Sequence, residues 1–226
     1  MKRSRVNALL GEAEAFIRTF GFALPPFAHW AADEFPQKAQ GTRIVEAALG
    51  WDITDYGQGR FDEMGLVLFT LRNGIAAEQA SGQGMCYAEK LLISRDGQVS
   101  PMHSHRVKVE DIINRGGATL VIKLFGSDDE GRFDKSRGGT VMRDAMAYEF
   151  APGEEIRLRP GDSVTLRPGD WHAFWGEGGD VLIGEVSSVN DDVTDNIFVD
   201  EIGRFSDIDE DVPPLHLLVS DYPDRL

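Results

Sequence analysis

His103 and His105, with Glu110 five residues on, form the group in this chain best suited to chemistry. On an extended strand alternate side chains share a face, so His103 and His105 point the same way. Two imidazoles side by side would repel if both were charged. A divalent cation between them removes the conflict, and Glu110 can return from the next strand or turn to supply an oxygen. A second stretch, Arg167-Pro168-Gly169-Asp170-Trp171-His172, carries another histidine just past a Pro-Gly turn, at the start of a strand. From there His172 can face the same interior. Three imidazole nitrogens and one carboxylate oxygen leave one or two positions open on an ion that takes five or six ligands. Open positions are where substrate oxygens bind. The set does not choose among Mn2+, Fe2+, Co2+, Ni2+ and Zn2+.

Such a set needs short strands to carry it. From about Ile44 onward, short alternating or β-branched runs are separated by Gly, Asp and Pro. The candidates are 65–71, 87–94, 107–114, 119–125, 148–150, 155–158, 163–166, 172–175 and 181–189. Many short strands with frequent turn signals predict an all-β barrel or sandwich. Residues 126–139 read as a polar surface loop, and 207–214 as an acidic, Pro-rich connector. Ahead of the strands, Val6, Leu9, Leu10, Ala13, Phe16, Ile17 and Phe20 recur at helical spacing. They predict a helix over about 4–20 that stops at Gly21. Pro25-Pro26 breaks the chain, and a shorter helix is expected at about 27–35, closed by Pro36. The expected division is a helical extension over 1–43, packed on a barrel over 44–226, in one structural domain.

Composition narrows the partners. The chain has 226 residues, 42% of them hydrophobic, and a formal charge of −15. Such acidity disfavours nucleic acid and anionic membranes, which are met by basic surfaces, but does not penalise a neutral polyol or sugar. The single cysteine, Cys86, excludes an intrachain disulfide and a thiolate-rich zinc site. Glu12, Glu14 and Arg18 interrupt the N-terminal apolar pattern, unlike a signal peptide, and no segment is long and apolar enough to span a bilayer. A cytoplasmic protein acting on a small molecule is the expectation. Gly57-Gln-Gly59 and Gly82-Gln-Gly84 lack the strand–helix context of a dinucleotide fingerprint and read as turns.

The spacing Gly97-x5-His103-x-His105-x4-Glu110-x6-Gly117 resembles the first cupin motif without departure. Gly161-x7-Gly169-x2-His172 resembles the second. There the usual proline position holds Arg167, with Pro168 shifted by one, and the expected asparagine is Gly176. Neither change touches a ligand. The helical N-terminal extension, Tyr87-Ala-Glu-Lys90-Leu-Leu-Ile and Phe198-Val-Asp-Glu201-Ile-Gly-Arg204-Phe extend the likeness over nearly the whole chain. Together they resemble the bacterial D-lyxose isomerase family.

That resemblance implies a mainly β cupin fold, a double-stranded β-helix or jelly-roll barrel with an N-terminal helical extension. It also implies a homodimer with one Mn2+ per chain, held by His103, His105, Glu110 and His172. The implied reaction interconverts D-lyxose and D-xylulose, and D-mannose and D-fructose. A metal holding the two sugar oxygens polarises the carbonyl, and a nearby carboxylate shuttles the carbon-bound proton. The resemblance makes Glu201 the candidate base and Lys90 the candidate cation near the reacting oxygens. Trp30, Trp175 and Arg204 are candidate substrate contacts. Two rival readings stand beside it: a cupin dioxygenase that uses Fe(II), and a non-catalytic sugar-binding cupin.

Overall fold

Alternation of side chains across strands shapes most of this molecule, and one helix completes it. The computed structural model describes residues 1–225. Helix α1 (Arg3–Thr19) is followed by a 3-10 turn (Pro26–His29) and a short α2 (Phe35–Ala39). Strands β1 (Gly50–Thr54) and β2 (Leu66–Asn73) lead through α3 (Ala76–Ala80) to β3 (Tyr87–Ser94) and β4 (Ser100–His105). Next come the long β5 (Glu110–Ser127), then β6 (Phe133–Asp134), β7 (Gly139–Arg143), β8 (Met146–Phe150), β9 (Glu154–Leu158) and β10 (Ser163–Leu166). A second long strand, β11 (Trp171–Ser188), precedes β12 (Asn196–Phe198), a 3-10 turn (Val219–Asp221) and α4 (Tyr222–Arg225).

All named strand pairings are antiparallel, and β5 and β11 pair along most of their length. The first half of β5 pairs with β10, and its second half with β9. The first half of β11 takes β4 as its other neighbour, and its second half takes β3. Each long strand therefore contributes to two layers and closes them into one barrel. The bends are marked by register shifts and glycines. Gly117 has a φ of 94°, and a Cβ there would lie 2.2 Å from the Asp180 carbonyl oxygen. Only glycine allows the strands to come that close.

The barrel interior holds Leu66, Leu68, Leu92, Leu120, Ile122, Leu124 and their neighbours. The β1–β2–β3 face outside the barrel would meet water, but α1 covers it. Val6, Leu9, Leu10, Ala13 and Ile17 pack with Trp51, Ile53, Val67, Phe69 and Leu91. These three strands are therefore buried on both faces; β2 and β3 carry continuous apolar runs, over 66–69 and 91–93, while β1 alternates Trp51 and Ile53 with the buried polar Asp52 and Thr54.

The sequence placed β3 and β10 residue for residue. The two long strands each read as two short ones, because the glycines at their bends look like turns. The second helix is a correction. Proline lacks an N–H and is preorganised for a helix's first turn, so Pro36 is the second residue of α2 and closes nothing; of the expected helix over 27–35, only the short 3-10 turn Pro26–His29 forms before it. The expected polar loop begins inside β5 and contains β6, and its final residue opens β7.

Candidate metal centre

His103 and His105 sit at the end of β4, and His172 lies directly across from His103 on β11. Glu110 opens β5. The period of two puts both β4 histidines on the inner face, and antiparallel register brings the third beside them. The His103 and His172 ring centroids are 4.1 Å apart, those of His103 and His105 5.3 Å. One ligand atom from each histidine falls within 4.8 Å of the others. The Glu110 Oε1 atom lies 3.2 Å from His105 Nε2 and 3.3 Å from His172 Nε2. Ligands bound about 2.1 Å from one ion sit roughly 3 Å apart along an edge; the three histidines form a group that could hold a cation, and Glu110 lies at that spacing from two of them.

Hydrogen bonding turns the rings toward that point. The Nδ1 atom of His103 is 2.7 Å from the Pro101 carbonyl, and that of His172 is 3.0 Å from the Asp170 carbonyl. Each Nδ1–H donates to backbone, which leaves Nε2 unprotonated for a metal. The His172 Nε2 atom is buried without a hydrogen-bond partner, a costly state unless a ligand takes the lone pair. Burial, with the neighbouring His172 and His105, pushes His103 well below the usual imidazole range and keeps it neutral.

Around the histidines runs a chain of alternating charges. Buried Lys108 donates to Glu110 Oε2 at 2.7 Å and to Glu185 Oε1 at 2.9 Å. Burial alone would lower its affinity for a proton; Glu110 and Glu185 outweigh that and raise it. Burial would likewise raise Glu110, but Lys108 and His105 hold its carboxyl well below the usual range. Glu185 is also 3.7 Å from Lys90, which sits 3.1 Å from both carboxylate oxygens of Asp192. Arg204 Nη2 follows at 3.5 Å from Asp192. Despite its burial, Asp192 is kept strongly ionised by Lys90 and Arg204. Apolar Leu66, Leu68, Leu92, Ile112 and Phe174 line the same cavity, with Tyr56 and Phe198 on its walls.

A family model described as D-lyxose isomerase matches residues 1–222. The chain belongs to the D-lyxose isomerase family. It is 43% identical over 226 residues to a D-lyxose/D-mannose isomerase of Serratia proteamaculans, covering 98% of both chains. A D-lyxose/D-mannose isomerase of Escherichia coli O157:H7 is 44% identical over 230 residues, again with 98% coverage of both. Among solved structures, the L-ribose isomerase of Acinetobacter sp. DL28 superposes with a TM-score of 0.63 at 16% identity, covering 92% of this chain and 98% of that one. The L-ribose isomerase of Geodermatophilus obscurus gives the same TM-score at 19% identity, with the same coverage. At that identity the likeness speaks for the fold.

Within this D-lyxose isomerase family member, His103, His105, Glu110, Lys90 and Arg204 line one cavity, with His172 beside them. Three other sequence candidates lie elsewhere. Glu201 is exposed on an irregular segment and does not line the cavity. Trp175 follows the inward-facing Phe174 by one residue, so the strand period turns it to the opposite face. Trp30 packs edge-on against Phe27 and Phe35 in a separate apolar cluster. Sequence reasoning passed over Lys108 and Glu185. Parity would have found them: Lys108 is two residues from Glu110, and Glu185 shares the phase of the core residues Val181 and Ile183. Asp192, in the segment after β11, carries no such signal.

Proposed function

We propose that this protein is a metal-dependent aldose–ketose isomerase that interconverts D-lyxose and D-xylulose, and D-mannose and D-fructose. His103, His105, Glu110 and His172 would hold one divalent cation per chain, Mn2+ in our reading. The observation that carries this is the convergence of the three histidines, with Glu110 against two of them, beside a carboxylate that has its own buried cation, Glu185 with Lys108. Both curated relatives bear the name D-lyxose/D-mannose isomerase.

A bound divalent cation supplies a Lewis acid for the carbonyl and hydroxyl oxygens on adjacent sugar carbons. This chain's residues do the rest. A carboxylate takes the proton from C2 of the aldose and returns it to C1, while a proton moves from O2 to O1. Of the candidate bases, Glu185 is buried in the cavity wall and Glu201 is exposed outside it. The geometry favours Glu185. Lys108, fixed between Glu185 and Glu110, keeps a positive charge beside the reacting oxygens. Lys90 serves the same end one step away, through Glu185 and Asp192. Arg204 offers the sugar a cavity-lining guanidinium whose Nη1 is buried and unpartnered. We further propose a homodimeric, cytoplasmic enzyme, in keeping with the resemblance and the single cysteine.

The test is turnover of D-lyxose and D-mannose by protein stripped with chelator and reloaded with Mn2+, run in D2O. Activity that returns with metal, with solvent deuterium in the product, supports the reading. No turnover of either sugar in the reloaded protein overturns it. Glu185→Gln should retain metal and lose on the order of 10^2–10^4-fold in kcat, whereas Glu201→Gln should stay within a few-fold of the wild type. The opposite pattern would return the base role to Glu201.

A further inference from the structure

The three histidines are not held alike. His103 and His172 rest their Nδ1 atoms on the backbone carbonyls two residues before them, Pro101 and Asp170. His105 stands between two carboxylates instead: its Nε2 bonds to Oε1 of Glu110 at 3.2 Å, and its Nδ1 lies 3.4 Å from Oδ2 of Asp195, close but not aligned as a hydrogen bond. Asp195 comes from the irregular segment between β11 and β12, and it is buried. Its Oδ1 accepts the Val107 N–H at 2.8 Å and its Oδ2 the Lys108 N–H at 3.2 Å. One side chain thus meets a metal-facing ring and the backbone of the lysine that serves Glu110 and Glu185. Its own segment carries Asp192, Asn196 and Phe198 into the cavity wall. It then zips onto the histidine strand, with Asn196 opposite His105 and Phe198 opposite His103.

We infer that Asp195 is a positioning residue: it keeps an acceptor at Nδ1 of His105, so that Nε2 is the atom offered to a metal, and ties the cavity wall formed by 191–198 to metal occupancy. This rests on the metal-site reading above. Both carboxylates can only accept, so in the metal-free ring Glu110 calls for a hydrogen on Nε2; once a cation takes Nε2 and Glu110, the remaining hydrogen sits on Nδ1, and Asp195 is the acceptor placed to receive it. Asparagine reverses the instruction. With its oxygen kept on the Val107 N–H, its NH2 group turns to His105 at the expense of the Lys108 N–H bond, and the ring answers with the tautomer protonated at Nε2. That atom then cannot bind a cation.

Asp195→Asn is therefore a tautomer trap with nearly unchanged volume. Asp191→Asn is its control, because Asp191 braces the same segment through the Val193 and Thr194 N–H groups without meeting a histidine. Three measurements on the full chain decide the matter. Long-range 1H–15N NMR of the metal-free protein should show a hydrogen on Nδ1 of His105 in the wild type and Asp191→Asn, and none on that atom in Asp195→Asn. Mn2+ titration should show affinity weakened by roughly 10- to 100-fold in Asp195→Asn alone. Hydrogen exchange at the Val107 and Lys108 amides and across 191–198 should slow on Mn2+ loading in the wild type, and much less in Asp195→Asn. Wild-type Mn2+ affinity in Asp195→Asn, or equal losses in both variants, would overturn the inference. A wild type that binds no Mn2+ would instead sink the metal-site reading itself.

Discussion

The site is built in two halves by different means. The β-strands supply His103, His105, Glu110, His172 and Glu185, whose positions follow from register, and the turn after β4 adds Lys108, whose backbone N–H rests on Asp195. The segment from Asp191 to Arg204 supplies Asp192, Asp195 and Arg204, held mainly by charge pairs and side-chain hydrogen bonds. Arg204 is also moored through its carbonyl, which accepts from Thr54 Oγ1 at 2.6 Å, while Gly203 donates to Tyr56. The strand-borne half is preorganised by a ladder of backbone bonds that no single side chain controls. The segment-borne half depends on individual charges. The first should fix the chemistry, and the second should fix how sugar is held.

The largest expected effect strikes the first half. His172→Ala removes one of the proposed ligands while leaving the β4–β11 ladder intact. Mn2+ binding should fall sharply, and kcat should drop on the order of 10^3-fold or more, since metal stabilisation supplies several kcal/mol. The circular dichroism spectrum should not change. A variant that keeps both metal and turnover would break the comparison at its root.

Next in size is Lys108→Met. Removing the cation leaves Glu110 and Glu185 buried without it. Breaking a buried pair by deleting one partner costs about 3–5 kcal/mol, which for a chain of this length is a fall of roughly 6–20 °C in Tm. The loss should be read in metal-free protein. There a double variant, Lys108→Met with Glu185→Gln, should recover part of it by discharging one carboxylate.

How much of this was legible in the sequence follows the same division. His103, His105, Glu110 and His172 could be read because strand period and fixed spacing turn sequence into geometry. Lys90 was noticed, although a lysine in a strand usually faces solvent; its phase with the core residue Leu92 explains why this one does not. The barrel was legible from many short runs. The continuity of β5 and β11 was not, since Gly116-Gly117 and Gly178-Gly179 announce turns while serving as bends within strands. The segment-borne half gave no periodic signal. The likeness that pointed to this stretch named Glu201 and Arg204, and the structure sends one to solvent and the other into the cavity. In an irregular segment, neighbours in sequence do not share a direction.

Asp52 probes whether the two halves feel each other. It lies on β1, almost fully buried, and burial pushes its carboxyl up from 3.8 to about 6, with Arg204 opposing the rise. The folded state therefore binds this proton more tightly than the unfolded chain does. The group's contribution to stability falls as pH rises from about 4 to about 6 and is constant above that. Over that span the loss is on the order of 3 kcal/mol. Relative to the wild type, Asp52→Asn should gain stability across the same window and hold the gain at pH 8, as read by urea unfolding. Adding Arg204→Met to the wild type should move the window to higher pH. An unmoved window would mean that the segment's cation does not reach the strand.

The smallest effect belongs to Asp192→Asn. Its carboxylate faces Lys90 at 3.1 Å and Arg204 at 3.5 Å, so the substitution leaves two cations sharing a neutral amide. No metal-facing group is touched, and Mn2+ affinity should stay at the wild-type level. What changes is the aim of Arg204 and Lys90 into the cavity. Losing hydrogen bonds to a charged group costs about 1.5–3 kcal/mol, which corresponds to a KM for D-lyxose raised roughly 10- to 100-fold. If kcat is nearly constant, the segment holds sugar and the strands perform the reaction. If kcat falls as far as KM rises, Asp192 or Lys90 acts in the transition state. The strand-borne list would then have to be extended across the cavity.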